Sequence, residues 1–415
     1  MGKIVKLGVI GLGARAETLL ATLNELRQVD IEVTAICDVQ QSRIDRILGI
    51  MASRNAPKPD TYTDYRALIA SDNVDAVLVP TSWNSHLKIA EDAMNHGKYV
   101  GIEVGGAASV DELWHLVHAA ESTGVSCMML ENCCYGRNEL LALNFVRKGM
   151  FGELIHCSCG YEHDLAEMAR DDGNRAERAV HNFRRCGDLY PTHGIGPIAK
   201  ILRINRGNRF VSLTSTASKG RGFMLEAERS GRGKVVYNQG DIVTTVIKCA
   251  NGETITMTHG VSLPRPYSRD CRVQGTKGIW LEDAKGIYIE GISPKSEKLD
   301  VAGNPYTTHS WTPVADLYEK YDHPIWQDFR KQIVGGHGGL DALTIQAFCD
   351  GVRNRTVLPI DVYDVAAWMC ITCLSEQSIA CGSMPMPIPD FTNGKWIYES
   401  GKAINRWSLD ELYEE

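Results

Sequence analysis

The sequence carries Gly8-Val9-Ile10-Gly11-Leu12-Gly13-Ala14-Arg15-Ala16 at the end of its first apolar run, and this stretch decides the fold. The run before it is typical of a buried β-strand, and the residues after it have helical periodicity. In this GxGxx(G/A) pattern Gly11 allows a tight turn, Gly13 lets the backbone approach a pyrophosphate, and Ala16 lets helix and strand pack closely. The first helical residues, Ala14 and Arg15, bring free N–H groups to the phosphates. We therefore predict a dinucleotide-binding Rossmann fold.

Asp38 bears on the choice of dinucleotide. It ends the second predicted strand, roughly twenty residues beyond the motif, where a ribose-binding acid is expected. A carboxylate there hydrogen-bonds the ribose hydroxyls, which favours NAD over NADP. Arg15 and Arg43 are basic neighbours that would soften this preference. The alternative is a glycine turn in an unrelated α/β protein, and the order of strand, motif and helix argues against it.

Two further segments are expected to line the same crevice, because ligands bind at the carboxyl edge of the strands in such sheets. Glu103 ends a predicted strand and would contact the nicotinamide ribose. The run Trp83-Asn84-Ser85-His86 follows the fourth strand, and its candidate cofactor contacts are Trp83 and His86.

The organisation of the chain changes near residue 131. Before it, predicted strands at 5–10, 31–37, 76–79, 99–103 and 127–130 alternate with helices, as in a parallel sheet wrapped by helices. After it, strands follow one another at 154–163, 209–218, 241–249, 254–259, 272–274 and 279–289, which indicates a largely antiparallel sheet. We predict an α/β protein with an NAD-binding Rossmann domain at residues 1–130 and a substrate-binding α/β domain at residues 131–415. The second domain has an open, mostly antiparallel sheet and a Pro-rich C-terminal tail packed over the surface.

Composition excludes several classes of partner. The formal net charge is −7 and the basic residues are dispersed, so we expect no nucleic-acid partner. The apolar runs are too short to span a membrane. The first strand begins almost at once, which favours a cytoplasmic protein or one exported after removal of a leader. An exposed antiparallel sheet makes a homodimer a reasonable expectation.

The thirteen cysteines indicate reduced thiols rather than a disulfide framework. The most metal-like spacing is Cys370-Ile371-Thr372-Cys373, which lies in an apolar helical pattern without a second pair of ligands. A structural zinc site needs about four ligands. We therefore predict cysteines of a helix core and no metal.

Later segments closely resemble one branch of the glucose–fructose oxidoreductase/inositol dehydrogenase class. They are Glu131-Asn132-Cys133-Cys134-Tyr135, residues 148–157, the eleven residues Gly187-Asp188-Leu189-Tyr190-Pro191-Thr192-His193-Gly194-Ile195-Gly196-Pro197, and His337-Gly338-Gly339-Leu340-Asp341. The branch they resemble is glycoside hydrolase family 109, the NAD-dependent α-N-acetylgalactosaminidases. The resemblance runs from the first strand to residues 388–391.

The resemblance implies a redox-neutral glycoside hydrolase with tightly bound NAD⁺. In that chemistry hydride leaves sugar carbon 3, the ketone acidifies the hydrogen on carbon 2, elimination expels the aglycone, water adds, and the hydride returns. This is an exception to the usual pair of carboxylates in glycosidases. The implied substrate is a small-molecule glycoside or a glycan terminus, most of all a terminal α-N-acetylgalactosaminide.

Two departures from the dehydrogenase pattern favour this branch. Val104, in Gly101-Ile102-Glu103-Val104-Gly105, replaces the Lys of a Glu-Lys-Pro motif, and Leu189 replaces the Asp that lies four residues before the catalytic His. An ordinary NAD-dependent sugar dehydrogenase therefore ranks second. A non-catalytic NAD-binding regulatory protein ranks third, because the Tyr and His residues are retained.

The implied catalytic residues are His193, Tyr190 and Tyr161. His193 opens a predicted helix whose dipole disfavours its charged form, so that a neutral imidazole would accept the carbon-3 hydroxyl proton. Tyr190 would relay protons if a neighbour lowered its pKa. Tyr161 is assigned to proton removal at carbon 2, although the two tyrosines are interchangeable here. By residue type alone, a helix-capping histidine and a half-buried strand tyrosine are the ordinary interpretations.

The implied substrate contacts are Glu131, Arg178, His337 and Asp341. Arg178 would bind sugar oxygens with its fixed fork of donors. Its neighbours leave the register open; they are Arg175, Arg184 and Arg185. Glu131 would orient a sugar hydroxyl or polarise a proton relay. The glycines between His337 and Asp341 suggest a backbone held close to another group.

Overall fold

A computed structural model describes residues 4–26, 30–170, 177–293, 299, 301–303, 311–398 and 405–413. Arg175 lies outside these ranges. Strands and helices alternate in the first part of the chain: β1 (Val5–Ile10), α1 (Ala14–Leu26), β2 (Ile31–Cys37), α2 (Gln41–Ser53), β3 (Asp60–Tyr62), α3 (Tyr65–Ile69), β4 (Ala76–Val79), α4 (His86–Asn95), β5 (Tyr99–Ile102), α5 (Val110–Thr123) and β6 (Cys127–Met129).

The six strands form a parallel sheet in the order β3-β2-β1-β4-β5-β6. The strand order reverses between β1 and β4, and ligands bind at the carboxyl ends of the strands beside such a point. The predicted Rossmann fold is confirmed. The sequence did not reveal β3, because its three residues are exposed or half-buried and carry no apolar pattern.

A second sheet of nine strands follows. The strands are β7 (Leu154–Glu162), β8 (Phe210–Ala217), β9 (Val243–Cys249), β10 (Thr254–Gly260), β11 (Arg272–Gly275), β12 (Gly278–Leu281), β13 (Gly286–Ile289), β14 (Thr312–Pro313) and β15 (Met386–Pro387). Their order is β14-β13-β12-β11-β7-β10-β9-β8-β15. Every pairing is antiparallel except that of β7 with β10. Buried and more exposed residues alternate along β9, as expected for a sheet with one covered face. The predicted mostly antiparallel sheet is confirmed.

The helices of this part are α6 (Arg137–Arg147), α7 (Glu177–Arg184), α8 (Thr192–Ile201), α9 (Gly222–Arg229), α10 (Tyr318–Tyr321), α11 (Pro324–Phe329), α12 (Leu340–Asn354) and α13 (Val362–Ala380). Short 3-10 helices lie at Asn132–Tyr135, Ala166–Ala169, Val314–Leu317, His337–Gly339 and Lys395–Ile397. The helix α13 packs against α5 on one side and β8 on the other, so it joins the two sheets.

Two segments differ from the prediction. The Arg-rich segment contains α7, which the sequence did not reveal because its residues are mostly polar. The Pro-rich end was predicted to be a surface tail, but it forms β15, which pairs with β8 and is the edge strand of the sheet. Proline fits there because an edge strand can lack one donor.

All thirteen cysteines lie in the described ranges and all are free thiols. Cys370 and Cys373 are buried in α13, which confirms the prediction of helix-core cysteines. Within the part of the chain that the structure describes, no helix has the length and apolar character needed to cross a bilayer.

Candidate active site

The glycine motif forms one wall of a cleft of about 530 Å³ at the carboxyl edge of the parallel sheet. Gly11 has a φ of 94°, and a Cβ on it would lie 2.7 Å from Cγ2 of Thr81. Only glycine fits this turn. Gly13, at the start of the loop into α1, has open space where a Cβ would be. Ala16 is fully buried between α1 and the sheet. These features fit the pyrophosphate cradle of a dinucleotide.

Asp38 closes the far end of this cleft. Its carboxylate accepts hydrogen bonds from the backbone N–H groups of Leu12 (2.8 Å) and Gln40 (2.9 Å). Arg43 is 3.3 Å from the same carboxylate. Arg15, the other arginine expected to soften the preference for NAD, points instead toward Glu103. Of these two arginines, only Arg43 lies beside Asp38.

A second cleft, of about 310 Å³, adjoins the first and shares Pro80 and Thr81 with it. Both volumes fall in the range of roughly 300–1,000 Å³ typical of small-molecule sites. The second cleft contains half of the sixteen predicted site residues: Arg15, Trp83, Glu103, Tyr161, Arg178, Tyr190, His193 and His337. Residues far apart in the sequence therefore meet beside the predicted nicotinamide end.

His193 is the second residue of α8, and Glu131 holds it from behind. Glu131 follows β6 and accepts a hydrogen bond from the backbone N–H of Cys133 at 3.0 Å. Its Oε1 is 2.7 Å from Nδ1 of His193, so Nδ1 donates and Nε2 is left for the cleft. Glu131 is completely buried. It is therefore not placed for the direct sugar contact that was expected, and its position fits the alternative role in a proton relay.

The protonation predicted for His193 is wrong. Burial opposes a positive charge, but the sulfur of Cys133 and the carboxylate of Glu131 raise the pKa of His193 well above its ordinary value. Charged neighbours at hydrogen-bond distance therefore favour the protonated form of His193. Burial alone would raise the pKa of the Glu131 carboxyl, but the neighbouring His193 lowers it below its ordinary value.

Tyr190 and Tyr161 stand edge to face, with ring centroids 4.6 Å apart. The hydroxyl of Tyr190 is 3.4 Å from Nε2 of His193. Burial raises the pKa of Tyr190 despite the opposing charges of His193 and Arg178, so the lowered pKa on which a relay through Tyr190 depends is not met. Arg178 donates to the hydroxyl of Tyr161 at 3.3 Å and lies 4.0 Å from the ring centroid of Tyr190. These tyrosines therefore share one cation.

Arg178 is the arginine that reaches the cleft from α7. Arg184 is exposed at the end of the helix. Arg185 binds Glu376 and the carbonyl of Ala107. Among the arginines that the structure describes in this segment, Arg178 is thus the one that the fold brings to the site.

A charged network ties the start of α1 to the start of α12. Arg15 donates to Glu103 at 2.6 Å and, with two nitrogens, to Asp341 at 2.8 and 3.0 Å. Asp341 also accepts from Asn132 and His337, each at 2.8 Å. With 1% exposure Asp341 is buried and its oxygens are occupied, so it is not placed to contact a substrate as expected. His337 is exposed and faces the cleft.

His86 also differs from expectation. It is the first residue of α4 and is completely buried, and it lines neither cleft. Trp83, from the same run, does line the second cleft and stacks on Tyr190 with a centroid distance of 5.5 Å. Ala14 begins α1 and is exposed beside the motif.

Two glycines set the distance between α8 and β7. A Cβ on Gly194, next to His193, would lie 2.8 Å from the backbone nitrogen and oxygen of Gly160. A Cβ on Gly160, next to Tyr161, would lie 2.3 Å from the carbonyl oxygen of Thr258. The backbones are therefore in direct contact, and this contact fixes His193 relative to Tyr161.

A buried pair lies behind the tyrosines. His259 of β10 is opposite Tyr161 in the sheet, with ring centroids 6.3 Å apart, and its Nδ1 is 3.7 Å from Oδ1 of Asp188. Burial raises the pKa of Asp188 to about 7 and lowers that of His259 to about 3. Burial thus disfavours the charged form of both groups.

The sequence interpretation missed several residues at the site. Asn132 lines the second cleft, and Cys133 lies 3.5 Å from Nδ1 of His193; both follow Glu131 in the quoted motif. His163 lies 3.3 Å from the Tyr161 hydroxyl, and Tyr267 packs on His163. Their positions depend on how loops meet, which spacing does not reveal.

Comparison with known proteins gives two family matches. Residues 5–131 match the family described as "Oxidoreductase family, NAD-binding Rossmann fold". Residues 135–398 match "Glycosyl hydrolase 109, C-terminal domain". The chain is 40% identical to an alpha-N-acetylgalactosaminidase of Tannerella forsythia, over 95% of this chain and 88% of that protein. It is also 40% identical to a glycosyl hydrolase family 109 protein of Parabacteroides distasonis, over 96% and 88%.

Solved structures share the fold at low identity. An NAD binding oxidoreductase from Klebsiella pneumoniae superposes with a TM-score of 0.69 at 16% identity, covering 93% of this chain and 99% of that one. An apo scyllo-inositol dehydrogenase from Lactobacillus casei gives 0.63 at 14% identity, with coverage of 93% and 99%. These likenesses support the two-sheet architecture.

Proposed function

Since the chain belongs to glycoside hydrolase family 109, we propose that it is a redox-neutral glycosidase acting on terminal α-N-acetylgalactosaminides with NAD⁺ as its cofactor. The observation that carries the proposal is His193, held by buried Glu131 and placed beside Tyr190 and Tyr161 in a cleft that adjoins the one lined by the glycine motif. This arrangement offers two proton-transfer groups next to a dinucleotide site. It also lacks the Lys and Asp of the dehydrogenase pattern.

The cofactor assignment is supported by Gly11, Gly13 and Asp38, which provide the tight turn, the open approach and the ribose-binding acid. Glu103 and Arg15 line the second cleft, which adjoins the first. When bound, NAD⁺ supplies the hydride acceptor for sugar carbon 3. Arg43, the cation beside Asp38, leaves some affinity for NADP.

The protein groups divide the proton transfers. His193, once neutral at Nε2, accepts the proton of the carbon-3 hydroxyl, and Glu131 stabilises the imidazolium that forms. Tyr161 takes the proton from carbon 2, and Arg178 positions its oxygen through the hydrogen bond at 3.3 Å. Tyr190 hydrogen-bonds Nε2 and, with Trp83, forms the wall of the sugar pocket. His337 contacts the sugar or aglycone at the exposed mouth.

Hydrolysis of an aryl α-N-acetylgalactosaminide in deuterium oxide tests the mechanism. Aglycone release without net NADH, and deuterium at carbon 2 of the released sugar, are the expected results. A 3-deoxy analogue should bind without being cleaved. Sugar without deuterium, or rapid cleavage of the 3-deoxy analogue, contradicts the redox mechanism. Stoichiometric NADH without aglycone release would identify a dehydrogenase instead.

The free thiols are consistent with a reducing compartment, and we infer a cytoplasmic location from them.

A further inference from the structure

Three different metal-binding atoms meet beside the second cleft. Oxygen of Glu131, sulfur of Cys133 and nitrogen of His193 lie within 4.8 Å of one another. The histidine Nδ1 is 2.7 Å from the carboxylate and 3.5 Å from the sulfur. Zinc binds these three kinds of donor at about 2.0–2.3 Å. Small movements would therefore bring all three around one cation.

The carboxylate has unused capacity at this point. Oε2 of Glu131 is buried and accepts no hydrogen bond from the residues that the structure describes. A buried ionised carboxylate is costly unless it is paired or coordinates a metal. His193 and the backbone of Cys133 hydrogen-bond Oε1, whereas a divalent cation would be attracted to both oxygens.

We propose that the Glu131–Cys133–His193 cluster binds Zn²⁺ and that the bound ion inhibits the enzyme. A thiolate with an imidazole favours zinc over Mg²⁺ or Ca²⁺, which prefer oxygen ligands. His193 and the intervening Asn132 line the cleft, so the ion has a route from solvent. The binding site stands on the geometry alone, and its inhibitory effect rests on the proposed function.

Inhibition follows from the protons that zinc displaces. Cys133 binds zinc as a thiolate and gives up its proton, and Nδ1 of His193 binds zinc in place of its proton. The imidazole keeps its remaining proton on Nε2, the nitrogen 3.4 Å from the Tyr190 hydroxyl. Nε2 then has no lone pair to accept the sugar proton. The fold and the cofactor site need not change.

Binding is tested on the full chain with its cofactor, freed of metal by a chelator. Titration with Zn²⁺ alone should show one tight site per chain and, by calorimetry in buffers of different ionisation enthalpy, release of at least the thiol proton. Co²⁺ alone should give the near-ultraviolet charge-transfer absorption of a thiolate ligand. Cys133→Ser should lose this absorption and weaken Zn²⁺ binding by roughly tenfold or more, since even outer-shell changes cost about 10–100-fold.

Cys381→Ser is the matched control, because it removes an exposed thiol outside the cluster. It should keep the absorption and the tight site. If Cys133→Ser fails to fold, Cys133→Ala provides the same comparison, and the wild-type Co²⁺ spectrum still decides whether a thiolate binds. A spectrum without thiolate absorption, or equal Zn²⁺ affinity in wild type and the Cys133 variant, overturns the site.

Turnover is measured separately. Zn²⁺ should inhibit the wild type and Cys381→Ser, and a chelator should restore activity. Tight binding without inhibition overturns the inhibitory half of the proposal. Metal binding in a protein that cleaves no glycoside leaves the site intact and removes the proposed function.

Discussion

Nδ1 of His193 lies 2.7 Å from Oε1 of Glu131, although the two residues are 62 positions apart in the sequence. Glu131 follows the last strand of the parallel sheet, and His193 opens a helix that packs on the antiparallel sheet. The relationship therefore depends on how the two sheets are joined. It also determines the charge state of the candidate base.

Glu131→Gln should move the acid limb of kcat/KM to lower pH. His193 must be neutral to accept a proton, so activity is lost as pH falls through its raised pKa. The amide removes one of the charges that raise this pKa. We also expect kcat to fall by about 10²–10⁴, the usual contribution of an acid–base group. The measurement is a pH–rate profile with the exposed Glu32→Gln as control; an unshifted acid limb would contradict the assignment.

Tyr161→Phe and Tyr190→Phe should separate the two proton transfers. The Tyr161 variant loses the group assigned to carbon 2, so exchange of that hydrogen with deuterium oxide should stop. The Tyr190 variant loses a hydrogen bond to Nε2 and should mainly shift the pH profile while exchange continues. The two variants serve as controls for each other, measured by mass spectrometry of the sugar. If exchange stopped in the Tyr190 variant and continued in the Tyr161 variant, the proton transfer at carbon 2 would belong to Tyr190 instead.

Asp38→Ala should reduce the amount of NAD bound to the purified protein. It should also reduce the preference of the protein for NAD over NADP. The change removes a carboxylate that holds the loop through Leu12 and Gln40 and would bind the ribose. A ligand that binds the folded protein more weakly stabilises it less, so added NAD should raise the Tm of the variant less than that of the wild type. Asp45→Ala, on the exposed face of α2, is the control. Equal NAD content in all three proteins would refute the cofactor site.

Arg15→Ala should destabilise the protein even without its cofactor. It leaves buried Asp341 with hydrogen bonds from His337 and Asn132 only, and the loss of a charged partner costs roughly 1–3 kcal/mol. Urea unfolding measures the free energy of unfolding. Arg46→Ala removes an arginine that is half exposed and pairs with Glu17, and it should change stability by less. Equal losses in the two variants would argue against the network.

The glycine motif, the alternating strands and the later run of strands were enough to predict both sheets. Their signals are local, because periodicity reports which face of an element is buried. The spacing of Tyr190 and His193 also placed two side chains at one site. The helix α7 was not predicted because its residues are mostly polar. The strand β15 was not predicted because its prolines suggest a loop, and only the pairing with β8 reveals a strand.

The charge states could not be predicted in the same way. The pKa of His193 is set by Glu131 and Cys133, which its own helix does not contain. Likewise, the sequence suggested that Asp341 binds a ligand, but in the structure Asp341 is buried and its carboxylate is paired with Arg15. Such effects depend on distances between distant parts of the chain, and those distances arise only on folding.

The contact of Gly160 with Gly194 limits how the site can be engineered. The two backbones are in contact and hold His193 and Tyr161 in place, so neither glycine can be replaced by a residue with a side chain without moving these groups. A selection for new substrates that randomised these two positions would return mostly inactive clones. Variation at Trp83 and His337, whose side chains line the cleft, would reshape the pocket without disturbing the spacing of the reacting groups.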